Sequence, residues 1–190
     1  MNLFIRAFNS NWVFSKPQKK DILIYDSISK NSAEYLFHKT ECEVLDVRYE
    51  TINIFILLLT IFSSGFKNIK DNYKINYIKS VSPKIVFSTF TYNPAFFKLK
   101  SLYSNSMYIC LLISACDERF FKSCDDFYEK NPNIKLKSDY LFIVGQYYKA
   151  KMEKYIDTKI FNIGSIKNNF YQIKKGSISE KKNTVLFISQ

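Results

Sequence analysis

The chain has 190 residues and a mass of 22.5 kDa, enough for one domain of ordinary size or for one domain plus a fragment. With 47% hydrophobic and 17% aromatic residues, four Gly and four Pro, the composition excludes a disordered chain and a collagen-like or linker-like one. The net charge of +11 rests on Lys, only Arg6, Arg48 and Arg119 being Arg, and that shortage of the residue best suited to bidentate phosphate and guanine contacts argues against nucleic-acid binding.

Residues 1–18 read as a lead-in. The opening MNLFIRAFNSNW lacks a basic stretch followed by an apolar one and a small-residue cleavage site, so no secretory signal is expected and a cytoplasmic location is the default. From residue 19 onward, short apolar runs alternate with helical stretches, the pattern of βαβ units. The runs predict strands at Asp21 to Asp26, Glu43 to Val47, Lys84 to Phe90, Met107 to Ser114, Asp139 to Val144, Ile160 to Ile163 and Thr184 to Ser189. Helices are predicted at Asn31 to His38, Asn53 to Phe62, Asn72 to Ser80, Pro94 to Leu102, Asp125 to Glu129 and Gln146 to Tyr155, the fourth introduced by an Asn93 cap and Pro94 at the first helical position. Tyr73, Tyr77, Ile78 and Val81 recur at helical spacing as a core stripe. The longest apolar run, Ile54 to Phe62, is too short to span a bilayer, which takes roughly 20 residues. The expected fold class is therefore α/β, a Rossmann-like open, mostly parallel sheet with helices on both faces, over residues 19–175.

Between Lys149 and Lys182 nine Lys face three acids, a basic flank that suits an anionic membrane surface or a phosphorylated ligand, or simply forms a solvated face. Residues 176–183 read as a polar linker and residues 184–190 as the first strand of a further α/β domain, with the last strand of the first sheet as the alternative. The four cysteines show no CxxC pair and His38 is the single histidine, so neither structural zinc nor a Ser/His/Asp triad is expected. Cys110 reads as a core residue, Cys116 and Cys124 as exposed, and all four as free thiols.

Ligands of open α/β sheets bind beyond the carboxyl ends of the strands, which directs attention to the residues after each run. These are Asp26, Arg48 with Glu50, Tyr92 with Asn93, Asp117 with Glu118, and Gly164, Ser165, Lys167, Asn168 and Asn169. Asp117 and Glu118 are the candidate catalytic acid/base pair, since a carboxylate in a partly dry cleft can take an alcohol proton, while a solvated loop with Arg119 is the plainer alternative. Gly164 to Asn169 combines backbone, hydroxyl, cation and amides in a manner suited to a phosphate or a sugar, although a capped turn has the same composition. No GxxxxGK[ST] or GxGxxG occurs, so neither P-loop nor dinucleotide chemistry is supported, and no metal site is expected.

Several stretches in order, namely Lys19 to Asp26, Val47 to Asn53, Tyr77-Ile78 with Pro83 to Val86, Tyr92 to Phe97, Asp139 to Gly145 and Ile163 to Asn169, resemble bacterial surface-carbohydrate biosynthesis proteins of the GT-B glycosyltransferase type. Coverage extends over most of residues 19–170. Where members that look similar carry a Gln-Asn-Gly type turn, this chain has Ser114-Ala115-Cys116-Asp117, so that turn's role is not carried over. The resemblance implies an acceptor-side, N-terminal domain that binds a carbohydrate or lipid-linked acceptor. No cofactor is implied for this half; a nucleotide-sugar donor would be held by a C-terminal transferase half. Peripheral contact with the inner face of the membrane goes with such a role. The alternatives are a non-enzymatic α/β domain recognising a phosphorylated ligand or a partner protein and, further off, nucleic-acid binding through the Lys-rich stretch.

Overall fold

A computed structural model describes residues 10–48, 50–89, 93–113, 118–164 and 166. Six strands form one sheet: β2 (Ile22–Tyr25), β3 (Cys42–Leu45), β5 (Ile85–Ser88), β6 (Met107–Leu111), β7 (Leu136–Ile143) and β8 (Ile156–Asn162). Their order is β3-β2-β5-β6-β7-β8 and every neighbouring pair is parallel. The expected α/β class, a Rossmann-like open parallel sheet flanked by helices, is what forms. A separate two-stranded parallel sheet pairs β1 (Asn11–Val13) with β4 (Thr51–Asn53). The predicted linker and the strand Thr184 to Ser189 lie outside the described residues, as does Cys116.

The helices are α1 (Ser29–Ala33), α2 (Ile54–Ser64), α3 (Ile69–Val81), α4 (Ala95–Leu102), α5 (Glu118–Lys130) and α6 (Lys149–Tyr155). Helix α2 starts where Asn53 Oδ1 accepts from the Ile56 N–H at 3.2 Å, and it ends at Gly65, whose φ of 60° is open to a residue without a Cβ. Asn93 Oδ1 accepts from the Ala95 N–H at 2.8 Å, the expected cap ahead of α4. Side chains of Leu23, Tyr25, Val86, Tyr108, Cys110, Leu141 and Ile143 meet α3 to α6 in the main core, with the predicted stripe of Tyr73, Tyr77, Ile78 and Val81 buried among them. On the opposite face Ile24, Phe87 and Leu111 pack under Ala33 of α1.

Several boundaries differ from expectation. Helix α5 begins at Glu118, seven residues before the predicted Asp125, because Phe120, Phe121 and Cys124 together form its buried seam; Cys124 is thus core, not exposed. The first predicted helix is shorter, ending at Ala33 in turns that lead to a 3-10 segment, Lys39–Glu41. Strands β7 and β8 start earlier than their apolar runs: Leu136 and Ile156 already pair, and a register shift between Lys137 and Tyr140 absorbs the polar residues there.

Candidate functional site

The chain leaves β2 toward β3 on one side and leaves β5 toward β6 on the other, so the sheet order reverses between β2 and β5. Helix α1 after β2 and helix α4 after β5 accordingly lie on opposite faces, and the crevice between them opens at the carboxyl ends of these two strands. Asp26 sits at its edge. The residue is fully buried and has a φ of 77°, a left-handed conformation that Asp accepts more readily than most side chains. Its Oδ1 accepts from the Ile28 N–H at 3.2 Å and from the Ser27 hydroxyl at 3.3 Å, and its Oδ2 accepts from Arg48 Nε at 3.0 Å. The Asp26 N–H meanwhile donates to Leu45 O, tying the turn to the end of β3. Arg48 is 38% exposed, so one end of this ion pair is dry and the other reaches solvent.

Ser29 closes the floor of the crevice, its Oγ accepting from the Thr89 N–H at 2.9 Å and from the Thr89 hydroxyl at 3.1 Å. Behind Asp26, the nearly buried ammonium of Lys74 on α3 donates to the Tyr25 hydroxyl at 3.4 Å, and burial lowers its pKa from the ordinary 10.5 despite the opposing pull of Asp71. The carboxylate of Asp71 is itself held by Lys98 at 2.6 Å.

Beside this crevice a cleft of about 430 Å³ lies along the outer edge of β3, roofed by β1, β4 and the chain that follows β1. Lys16, Ser27, Lys30, Asp46, Asn53 and Tyr73 supply its polar groups. The walls are stiff. Asn53 donates from Nδ2 to Ser15 O at 2.8 Å and from its backbone N–H to the Tyr73 hydroxyl at 2.9 Å. Tyr77 donates to Glu43 and to Val44 O, and burial followed by the nearby Glu43 charge pushes its phenol well above the ordinary 10. Asp46 accepts from the Arg48 N–H at 2.9 Å, which sets the Arg48 backbone so that its side chain reaches Asp26. Cations, carboxylates, amide and hydroxyl are set among the apolar walls of Val13, Pro17 and Val44, an arrangement able to match the mixed donors, acceptors and apolar face of a sugar.

Of the predicted positions, Asp26 and Arg48 come together in one constellation. Glu50 follows on the same side, exposed, with its carbonyl accepting from the Asn11 N–H. Asn93 is an exposed helix cap. Glu118 opens α5 beyond β6 and is ion-paired with Lys151 of α6, which raises the Lys151 pKa. Gly164, with φ of 73°, follows β8. Since β5, β6 and β7 separate β8 from β2, four strand spacings of about 4.8 Å put Gly164 about 19 Å from Asp26, too far for one small ligand. Tyr92, Asp117, Ser165, Lys167, Asn168 and Asn169 lie outside the described residues. The residues that sequence reasoning did not name as site residues are Ser29, Asp46, Asn53, Tyr73, Lys74 and Thr89; Asp46, next to last in the predicted second strand, was the one nearest the reach of the strand-end rule.

Among the described residues no group of His, Cys, Asp and Glu is placed to hold a metal ion. Comparison with protein-family models, with curated proteins and with solved structures finds no match for this chain.

Proposed function

We propose that this chain is a carbohydrate-binding α/β domain, the acceptor side of a surface-polysaccharide glycosyltransferase, in which the cleft along β3 receives the acceptor sugar. The observation that supports this reading most is the lining of that cleft: Lys16, Ser27 and Asp46 on connecting segments, Asn53 at the end of β4, and Lys30 and Tyr73 on α1 and α3 offer charged, amide and hydroxyl groups beside the edge strand of the sheet. Asp46 and Asn53 would accept from and donate to ring hydroxyls, Tyr73 would supply an apolar ring face, and Lys16 and Lys30 would favour an acceptor carrying a phosphate. The Asp26–Arg48 pair holds the loop that positions Asp46, a positioning role. Chemistry at the anomeric centre would need a donor-binding domain; Glu118, paired with Lys151 and two strands away from β2, is not assigned to it.

Titration followed by NMR, with neutral oligosaccharides, sugar phosphates and nucleotide sugars as separate ligands, tests the reading. Saccharides are expected to shift amides lining the cleft, and Asp46→Ala should weaken binding about tenfold, equivalent to about 1.4 kcal/mol. Sugar phosphates binding while the neutral sugars do not would favour the phosphorylated-ligand reading, for which the two cleft lysines are the supporting feature. No shift at the cleft with any of the three ligands sinks the proposal.

A further inference from the structure

Helix α2 is apolar on every side, yet only one side is used. Ile56 and Thr60 are buried against the body of the domain, with Asn76 of α3 donating to the Thr60 hydroxyl at 3.0 Å. On the opposite side Phe55, Leu58, Leu59 and Phe62 follow one another at helical spacing, within an arc of about 100° at 3.6 residues per turn, and all four are exposed, Phe62 by 85%. Phe66, just past the Gly65 turn, is exposed by 77%. The parallel register Trp12 to Ile52 and Val13 to Asn53 sets Phe14 level with the start of α2, and Trp12 and Phe14 are exposed as well. So many exposed large apolar side chains on one short helix and the strand end level with its start are seldom left to water.

Within the stripe the charges have one sign. From Thr51 to Lys70 there is no Asp or Glu, the patch ends in exposed Lys67 and Lys70, and exposed Lys16 and Lys19 follow Phe14; the acids that flank this window are Glu50, ahead of β4, and Asp71, ion-paired with Lys98. An apolar stripe with aromatic residues at its ends, bordered by lysines and free of carboxylates, complements an interface whose interior is hydrocarbon and whose surface is negative. At about 1.5 Å per residue the 11-residue helix is about 16 Å long, so it fits flat in that interface and cannot cross it; none of the described helices is long and apolar enough to span a membrane. The basic flank after Lys149 is less suited: Lys149 and Lys151 are paired with Glu153 and Glu118, and Lys159 lies over the Tyr140 ring.

We propose that α2, together with Trp12 and Phe14, docks the domain on the surface of an anionic lipid bilayer, with Lys16, Lys19, Lys67 and Lys70 against the headgroups. Trp12 is the single tryptophan of the chain and lies in the proposed surface, which gives a direct probe. The full chain is mixed with vesicles of phosphatidylcholine alone and with vesicles containing about one third phosphatidylglycerol, and Trp emission and co-sedimentation are recorded. The expected result is a blue shift and co-sedimentation with the anionic vesicles, at least tenfold weaker for Phe62→Ser/Phe66→Ser and for Lys67→Glu/Lys70→Glu, with circular dichroism confirming that both variants stay folded. Phe161→Ser, on an exposed apolar position of the sheet, serves as the control and should bind as the parent does. The proposal is overturned by equal binding to neutral vesicles and to anionic ones, by equal loss in the Phe161→Ser control, or by no binding to either vesicle. It is likewise overturned if sedimentation equilibrium shows a dimer that Phe62→Ser/Phe66→Ser dissociates, which would make a second copy the occupant.

Discussion

The two faces of the six-stranded sheet are built differently. On one, helices α3 to α6 bring a continuous aromatic lattice onto the strands: Tyr25 meets Phe96 edge-on at 5.3 Å, Phe96 lies 5.7 Å from Tyr108, and the contacts run on through Phe97, Phe120 and Phe121 to Tyr155. On the other, the cover among the described residues is α1, five residues long, helped by Phe37 and by Ile166 beyond β8. It buries Ile24, Phe87 and Leu111 but stops short of β7 and β8, where Phe142 and Phe161 stack on each other with Phe161 half in solvent. Parallel strands ordinarily need both sides covered. Among the described residues the buried aromatic packing is concentrated on the helical side, and the crevice and the cleft lie toward the other, at the ends of β2 and along β3.

The comparison can be broken hardest at Phe96. It is fully buried and touches Tyr25, Phe97 and Tyr108, so Phe96→Ala should cost about 3–5 kcal/mol, read as a fall in the urea midpoint with an unchanged slope. A loss below 1 kcal/mol would show that the lattice is not where stability resides.

Lys74 sharpens the contrast, because it is a charge placed at the rim of the dense face. Burial lowers its pKa below 10.5, so in the window just under that value the unfolded chain binds more protons than the native one, and stability rises with pH there. Lys74→Met should therefore stabilise the domain by about 1 kcal/mol at neutral pH, and its advantage over the parent should shrink as pH climbs toward 10. Melting curves of both proteins at a series of pH values check the sign; a constant gap would contradict it. The smallest effect is expected on the thin face, where Phe161→Ser should cost less than about 1 kcal/mol, a shift of no more than about 4 °C in Tm for a domain of this size.

The central strands were legible because Ile22-Leu23-Ile24-Tyr25 and Ile85-Val86-Phe87 are buried on both sides and read as unbroken apolar runs. Strands β1 and β4 were not. Each is three residues long, and Asn11-Trp12-Val13 becomes a strand only because Thr51-Ile52-Asn53, 40 positions on, pairs with it. The strand-end rule found Asp26 and Arg48, but it spread candidates along the whole carboxyl edge, since it needs the strand order to say which ends are neighbours. Asn53 and Tyr73 were missed for a related reason: one was read as the start of a helix and the other as core, and both readings hold, yet one side of each also faces the cleft. The apolar run at Ile54 to Phe62 read as a helix too short to span a bilayer, and its exposed face went unseen, because composition does not tell which half of a uniformly apolar helix meets the domain.

That every pairing in the large sheet is parallel has a consequence for how the chain is made. No strand can find its neighbour through a tight turn, and the pair at the point where the strand order reverses is among the slowest to assemble: Asp21 and Lys84, joined at the start of β2 and β5, are 63 positions apart. At translation rates of about 5–20 residues per second, β2 waits roughly 3–13 s after synthesis before β5 exists to receive it. During that interval Ile22 to Tyr25, and the wholly uncharged stretch of α2 made in between, have little to bury against. The nascent chain thus carries exposed apolar segments from the completion of β2 until β5 is made, and β7 with β8, adjacent in sequence through α6, is the unit that closes fastest once synthesised.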